Sequence, residues 1–189
     1  TAPPQWESVY ADPTRPLLLD IGCARGTFLF EMAQQQPQRN FLGLEIRSPL
    51  AEDALSRRDQ LGLTNLHFMF CNVTPSLMPL LASLPKGVLD QVTIQFPDPW
   101  FKKRHQKRRV VQPELVEAIA VHLCPGGSVF LQSDVEPVVV EMGKRFAAHR
   151  RFSLMNQVLE SPFPVLTERE AMTLERGDPV YRLQFATVN

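Results

Sequence analysis

The densest chemistry in this sequence lies in one stretch, Phe96-Pro97-Asp98-Pro99-Trp100-Phe101-Lys102-Lys103-Arg104-His105-Gln106-Lys107-Arg108-Arg109. Prolines on both sides of Asp98 fix φ and disfavour helix there, so the carboxylate is held at a defined place. Trp100 offers a flat face beside it. Six of the eight residues from Lys102 to Arg109 are Lys or Arg. An acid to pair with a base edge, an aromatic to stack on it and cations for phosphates together suit chemistry on a nucleic acid. Taken singly, each feature has a plainer reading: Trp100 in a core, and Lys102, Lys103, Arg104, Lys107, Arg108 and Arg109 on a solvated loop. It is their conjunction that points to a site.

A second group suits a nucleoside cofactor. Asp20-Ile21-Gly22-Cys23-Ala24-Arg25-Gly26 follows an apolar run. Gly22 and Gly26 permit a tight turn and close approach of backbone to ligand. Glu45 lies 25 positions after Asp20 and ends the next apolar run. A carboxylate there can accept from both ribose hydroxyls. Asn72 follows the third run, where an amide can read an adenine edge. The loop lacks GxGxxG spacing, since Ala24 holds the middle position. Asp20 would repel a pyrophosphate but suits a sulfonium and an amino group. S-adenosylmethionine is therefore favoured over a dinucleotide, with a purely structural turn as the plain alternative.

Two further acids carry two readings each. Asp134, in Ser133-Asp134-Val135-Glu136-Pro137, is a substrate contact or a helix N-cap. Thr167-Glu168-Arg169-Glu170 reads, from its residues alone, as a polar connection before a helix. Three cysteines without CxxC spacing and four scattered histidines give no metal site.

These residues need a frame. LLLDI at 17–21, FLGLEI at 41–46, LHFMFC at 66–71, LDQVTIQF at 89–96 and SVFLQS at 128–133 read as strands. Helical spacing runs over 27–36, 49–61, 113–123 and 136–148. Residues 97–109 form a loop. Residues 152–159 and 179–187 read as later strands, the second antiparallel at the sheet's end. Alternating strands and helices imply a mostly parallel sheet with both faces covered. The chemistry-bearing residues fall at the strand ends, where such sheets bind ligands.

Length 189 suits one α/β domain over 17–189. The proline-rich opening over 1–16 reads as a tail, partly disordered or truncated. No apolar run is long enough to span a bilayer. Formal net charge is zero, so nucleic-acid affinity would have to come from the one basic run.

On FPDPW followed by K-x-R-H-x-K-R-R, with DIGCARG, GLEI, SDVEP and TERE in support, the chain resembles the bacterial tRNA (guanine-N7-)-methyltransferases from Leu17 onward. The resemblance implies a Rossmann-like class I methyltransferase fold with a seven-stranded sheet. It implies methyl transfer from S-adenosylmethionine to N7 of a guanine in the tRNA variable loop, in the cytoplasm, by a monomer or homodimer without metal. Asp20, Glu45, Asn72 and Asp98 then fall at cofactor positions, and Asp98 at the catalytic one. Lys102, Asp134, Thr167, Glu168, Arg169 and Glu170 fall at substrate positions. The departures are Asn72, where many relatives carry Asp, and Arg169, where an aromatic is usual. A methyltransferase acting on an exocyclic amine of adenine, and a non-catalytic RNA-binding protein on this fold, are the competing readings. The order Pro-Asp-Pro-Trp disfavours the first.

Overall fold

The computed structural model describes residues 2–157 and 160–188, without the side chains of 103, 106, 156 and 157. Its sheet has seven strands: β1 (Leu17–Ile21), β2 (Asn40–Glu45), β3 (Leu66–Phe70), β4 (Leu89–Gln95), β5 (Ser128–Ser133), β6 (Phe152–Gln157) and β7 (Tyr181–Thr187). Their spatial order is β3-β2-β1-β4-β5-β7-β6. The first five run parallel, and β7 runs antiparallel to both β5 and β6.

Alternation along β1 explains why every residue of LLLDI is buried. Leu18 turns toward Phe30, Phe41 and Phe68, under α2 (Thr27–Gln35) and α3 (Ser48–Leu61). Leu17, Leu19 and Ile21 turn the other way. There they meet α1 (Trp6–Val9), α4 (Val73–Ala82), α5 (Pro113–His122) and α6 (Glu136–Ala147). Two covered faces leave no solvent-facing side to the central strands, as expected of a parallel sheet.

Three expectations are corrected. The opening segment is packed rather than a tail. Trp6 and Tyr10 are buried, Trp6 Nε1 donates to Ser83 Oγ at 3.0 Å, and Tyr10 Oη donates to the Phe41 carbonyl at 3.0 Å. The two large rings repay ordering a proline-rich segment by the apolar surface they bury.

Helix α4 is an element that the sequence reading did not name, and Pro79 sits inside it. An interior proline costs about 3 kcal/mol or more. Val73, Leu77, Leu80 and Leu81 are buried, each worth about 1.5–3 kcal/mol, so packing overrides propensity.

Strand β7 is antiparallel as expected but second from the edge, with β6 outside it. It carries the buried Phe185 and Arg182, whereas β6 exposes Leu154 and Met155. The expected continuation of β6 to 158 and 159 lies outside the described residues. The basic stretch contains a 3-10 helix, Lys103–Arg108, where a loop was expected.

Candidate active site

A cavity of about 750 Å³ opens beyond the carboxyl ends of β1 to β4. Its size lies within the ~300–1,000 Å³ usual for ligand sites. Asp20, Gly22, Glu45, Asn72, Asp98, Arg108, Asp134, Thr167, Glu168 and Arg169 all line it. Residues from six separate stretches of the chain are thereby brought to one hollow.

Asp20 forms the floor. It is buried, accepting from Thr93 Oγ1 at 2.7 Å and, more weakly, from Gln95 Nε2 at 3.4 Å. Burial pushes its carboxyl up to about 6, against those two hydrogen bonds, with the Glu45 charge raising it further. A buried carboxylate short of positive charge is suited to a cationic ligand.

Glu45 is buried at the end of β2. One oxygen accepts from the Ala24 N–H at 2.9 Å. The other accepts from the Arg47 N–H at 3.0 Å and from Arg47 Nε at 2.9 Å. The backbone contacts fix the carboxylate, and the largely exposed Arg47 guanidinium lies over it. Asn72 precedes α4 in extended conformation and makes no side-chain capping bond to it. Its amide is thus left to the cavity.

The glycine loop turns through Gly22 at φ 84° and Ala24 at φ 50°. Gly26 does not line the cavity. It starts α2 at φ 73°, and a Cβ there would lie 2.4 Å from the Phe68 ring. Its role is close packing. Cys23 is buried beside Asp20 and Glu45, and burial and both carboxylates raise its thiol well above the ordinary range, which favours the neutral thiol.

Asp98 is exposed at the mouth of the cavity. Phe96 at φ 49° and Trp100 at φ 42° bracket it in the left-handed region, where bulky residues are strained. With Pro97 and Pro99 they make a rigid bracket for one carboxylate. The Trp100 ring has Arg108 at 5.2 Å from its centroid and His105 edge-on at 5.7 Å.

The six cations do not act alike. Lys102, Arg104, Lys107 and Arg108 are exposed. The Lys103 side chain lies outside the described residues. Arg109, expected on the RNA backbone, instead turns inward: its Nε donates to the Pro99 carbonyl at 2.8 Å, and its guanidinium pairs with Glu141. It braces the bracket around Asp98 from below.

Asp134 is not an N-cap. Ser133 Oγ accepts from the Val135 N–H at 3.1 Å, while Asp134 pairs with Arg169 at 2.5 Å across the cavity mouth. Thr167 caps α7 (Glu168–Glu175) by accepting from the Glu170 N–H at 3.1 Å. Glu168 accepts from Thr27 Oγ1 at 2.8 Å. Glu170, expected at the substrate, is fully buried and paired with Arg182 at 2.7 Å. It does not line the cavity, because it stands two positions, about 200° of helical rotation, from Glu168, which does.

Sequence reasoning missed Thr93, Gln95 and Arg47. Thr93 and Gln95 carried a signal: two polar residues, two apart, alternating with the apolar Val92 and Ile94 in the buried half of the strand. Among the described residues, no group of three or more His, Cys, Asp or Glu is placed to hold a metal ion. No helix among them is long and apolar enough to cross a membrane.

A parallel sheet with one antiparallel strand inserted near its edge, and acids at the ends of its first two strands, defines a Rossmann-like methyltransferase that uses S-adenosylmethionine. Solved structures agree on the fold. A 16S rRNA methyltransferase, KamB, superposes with a TM-score of 0.65 at 19% identity, covering 98% of this chain and 92% of that one. The precorrin-6y C5,15-methyltransferase of Geobacter metallireducens gives 0.59 at 14% identity, covering 95% and 84%. A family model described as putative methyltransferase matches residues 14–183. A tRNA (guanine-N7-)-methyltransferase of Trichormus variabilis is 59% identical over 99% of this chain and 88% of its own length. One from a Nostoc species is 60% identical over 97% and 85%. The chain belongs to the tRNA (guanine-N7-)-methyltransferase family.

Proposed function

We propose that this protein methylates N7 of a guanine in tRNA, at position 46 of the variable loop, in the cytoplasm. The observation that carries the reading is Asp98, a single exposed carboxylate clamped between two prolines at the mouth of a cavity floored by Asp20 and Glu45. Bound in that cavity, S-adenosylmethionine supplies a methyl group activated by its sulfonium.

The residues present fit that cofactor. Asp20 holds the cationic end, Glu45 accepts from the ribose hydroxyls once Arg47 moves aside, and Asn72 meets the adenine. Guanine N7 carries a free lone pair, so no proton need be removed before it attacks. Positioning therefore matters more than basicity. Asp98 accepts from guanine N1–H and the exocyclic amine, fixing the ring and stabilising positive charge that grows on the purine. Asp134, which also lines the cavity, shares that task. Lys102 and the exposed cations after it hold the phosphates. The base must leave its stack to reach the cavity, which favours a loop nucleotide.

The test is incubation with labelled S-adenosylmethionine and total tRNA, followed by nucleoside analysis. 7-Methylguanosine is expected from the native protein, and Asp98→Ala should abolish it. A methylated adenine, or near-normal turnover by Asp98→Ala, overturns the reading.

A further inference from the structure

A ladder of buried polar side chains crosses the sheet beneath the cavity. Gln95 of β4 stands directly opposite Gln132 of β5, and Gln132 directly opposite Arg182 of β7. All three are buried, together with Asp20 at one end and Glu170 at the other. In a sheet whose interior is mostly apolar, such a row is costly unless each group is satisfied.

The hydrogen bonds run in one direction. Glu170, ion-paired with Arg182, can only accept, so the Gln132 atom facing it at 3.0 Å is the amide nitrogen. The same nitrogen donates to Gln95 Oε1 at 2.7 Å, and Gln132 Oε1 accepts from Arg182 Nε at 3.2 Å. With its oxygen so engaged, Gln95 must turn its nitrogen toward Asp20, 3.4 Å away. The orientation of an amide that lines the cavity is thus set by an ion pair two strands away.

We propose that Gln132, Glu170 and Arg182 are positioning residues that aim the Gln95 N–H at Asp20 and so keep that carboxylate placed for the cofactor. The inference rests on the reading that Asp20 binds the cofactor's cationic end. It also gives the T-x-x-E start of α7 a double role: Thr167, Glu168 and Arg169 face the cavity, while Glu170 secures the ladder under it.

Glu170→Gln puts a donor where only acceptors fit: its amide nitrogen meets either Gln132 Nε2 or the Arg182 guanidinium, so the ladder cannot keep its present set of hydrogen bonds. Gln132→Met cuts the ladder without adding charge and keeps the test alive should Glu170→Gln fail to fold. S-adenosylmethionine binding is measured by calorimetry on the whole chain, with melting curves for each variant. Phe146→Leu, which trims the core away from the ladder, serves as a variant of comparable stability loss, and Asp20→Asn as the reference for a lost cofactor contact.

Both ladder variants should bind about tenfold more weakly, the worth of one hydrogen bond to a charged group. They should raise the KM for S-adenosylmethionine while kcat at saturation holds, and Phe146→Leu should bind normally. Binding within twofold of native in the folded ladder variants, or an equal loss in Phe146→Leu, overturns the inference. If Asp20→Asn binds weakly while the ladder variants bind normally, only the ladder fails. If Asp20→Asn itself binds as native, the reading of Asp20 fails and the ladder with it.

Discussion

Asp20 sets stability and cofactor affinity against each other as pH changes. Its carboxyl is raised from 3.8 to about 6 by burial. That gap is worth about 3 kcal/mol between the two protonation states. The sign follows from linkage: a pKa raised on folding means that the fold prefers the protonated form. The contribution is fully present below about pH 4 and is lost as pH rises through about 6. A cationic ligand needs the other form. Cofactor affinity should therefore fall about tenfold for each pH unit below about 6, over the range in which this group makes the free protein more stable. Asp20→Asn removes the titration, so it should be more stable than native by about 1–3 kcal/mol near pH 8, and equal to it near pH 4. Calorimetric titration of S-adenosylmethionine and urea unfolding across that range measure both quantities. Affinity that is flat between about pH 5 and 8, or an Asn variant less stable than native near pH 8, would refute the reasoning.

Three other outcomes follow from the geometry. Arg109→Ala should leave the salt dependence of tRNA binding unchanged and lower stability by about 1–3 kcal/mol, because it removes the brace to Pro99 and Glu141; Arg108→Ala should reduce the salt slope by about 0.7–0.9 and leave stability alone. Gly26→Ala should cost more than about 3 kcal/mol in chemical unfolding, since the added Cβ meets Phe68 at 2.4 Å in a left-handed conformation, and trimming the ring with Phe68→Leu should recover part of the loss. Arg169→Ala should change stability by less than about 1 kcal/mol, its side chain being more than half exposed, while weakening tRNA binding; a larger drop in melting temperature would make its pair with Asp134 structural.

The sequence showed the site better than it showed the scaffold's exceptions, for a physical reason. Strand and helix periods are local, and the strand-end rule then gathers Asp20, Glu45, Asn72 and Asp98 without any knowledge of packing. Helix α4 is the opposite case. Its prolines argue against helix locally, and only the apolar surface it meets on α5 and the sheet decides otherwise. Trp6 and Tyr10 likewise look like part of a proline-rich lead-in until the Phe41 carbonyl and Ser83 hydroxyl they bond are brought near by the fold.

Charge patterning has the same limit. Six cations in eight residues read as one surface, yet Arg108 ends the 3-10 turn and Arg109 stands one position past it, turned inward. Nothing in the run itself marks the residue that meets Glu141, because Glu141 lies on α6, 32 positions away. Glu170 differs from Glu168 for a related reason. Both lie in one acidic helix start, but two positions apart on a helix is about 200° of rotation, so if one faces the cavity the other must face the sheet. A buried acid there needs a cation, and β7 supplies Arg182, inside a strand whose edge position would have left that charge in water. The insertion of β7 between β5 and β6 and the burial of Glu170 are thus one fact: the strand must be interior for the ion pair to be dry, and the pair must form for the strand to carry an arginine there.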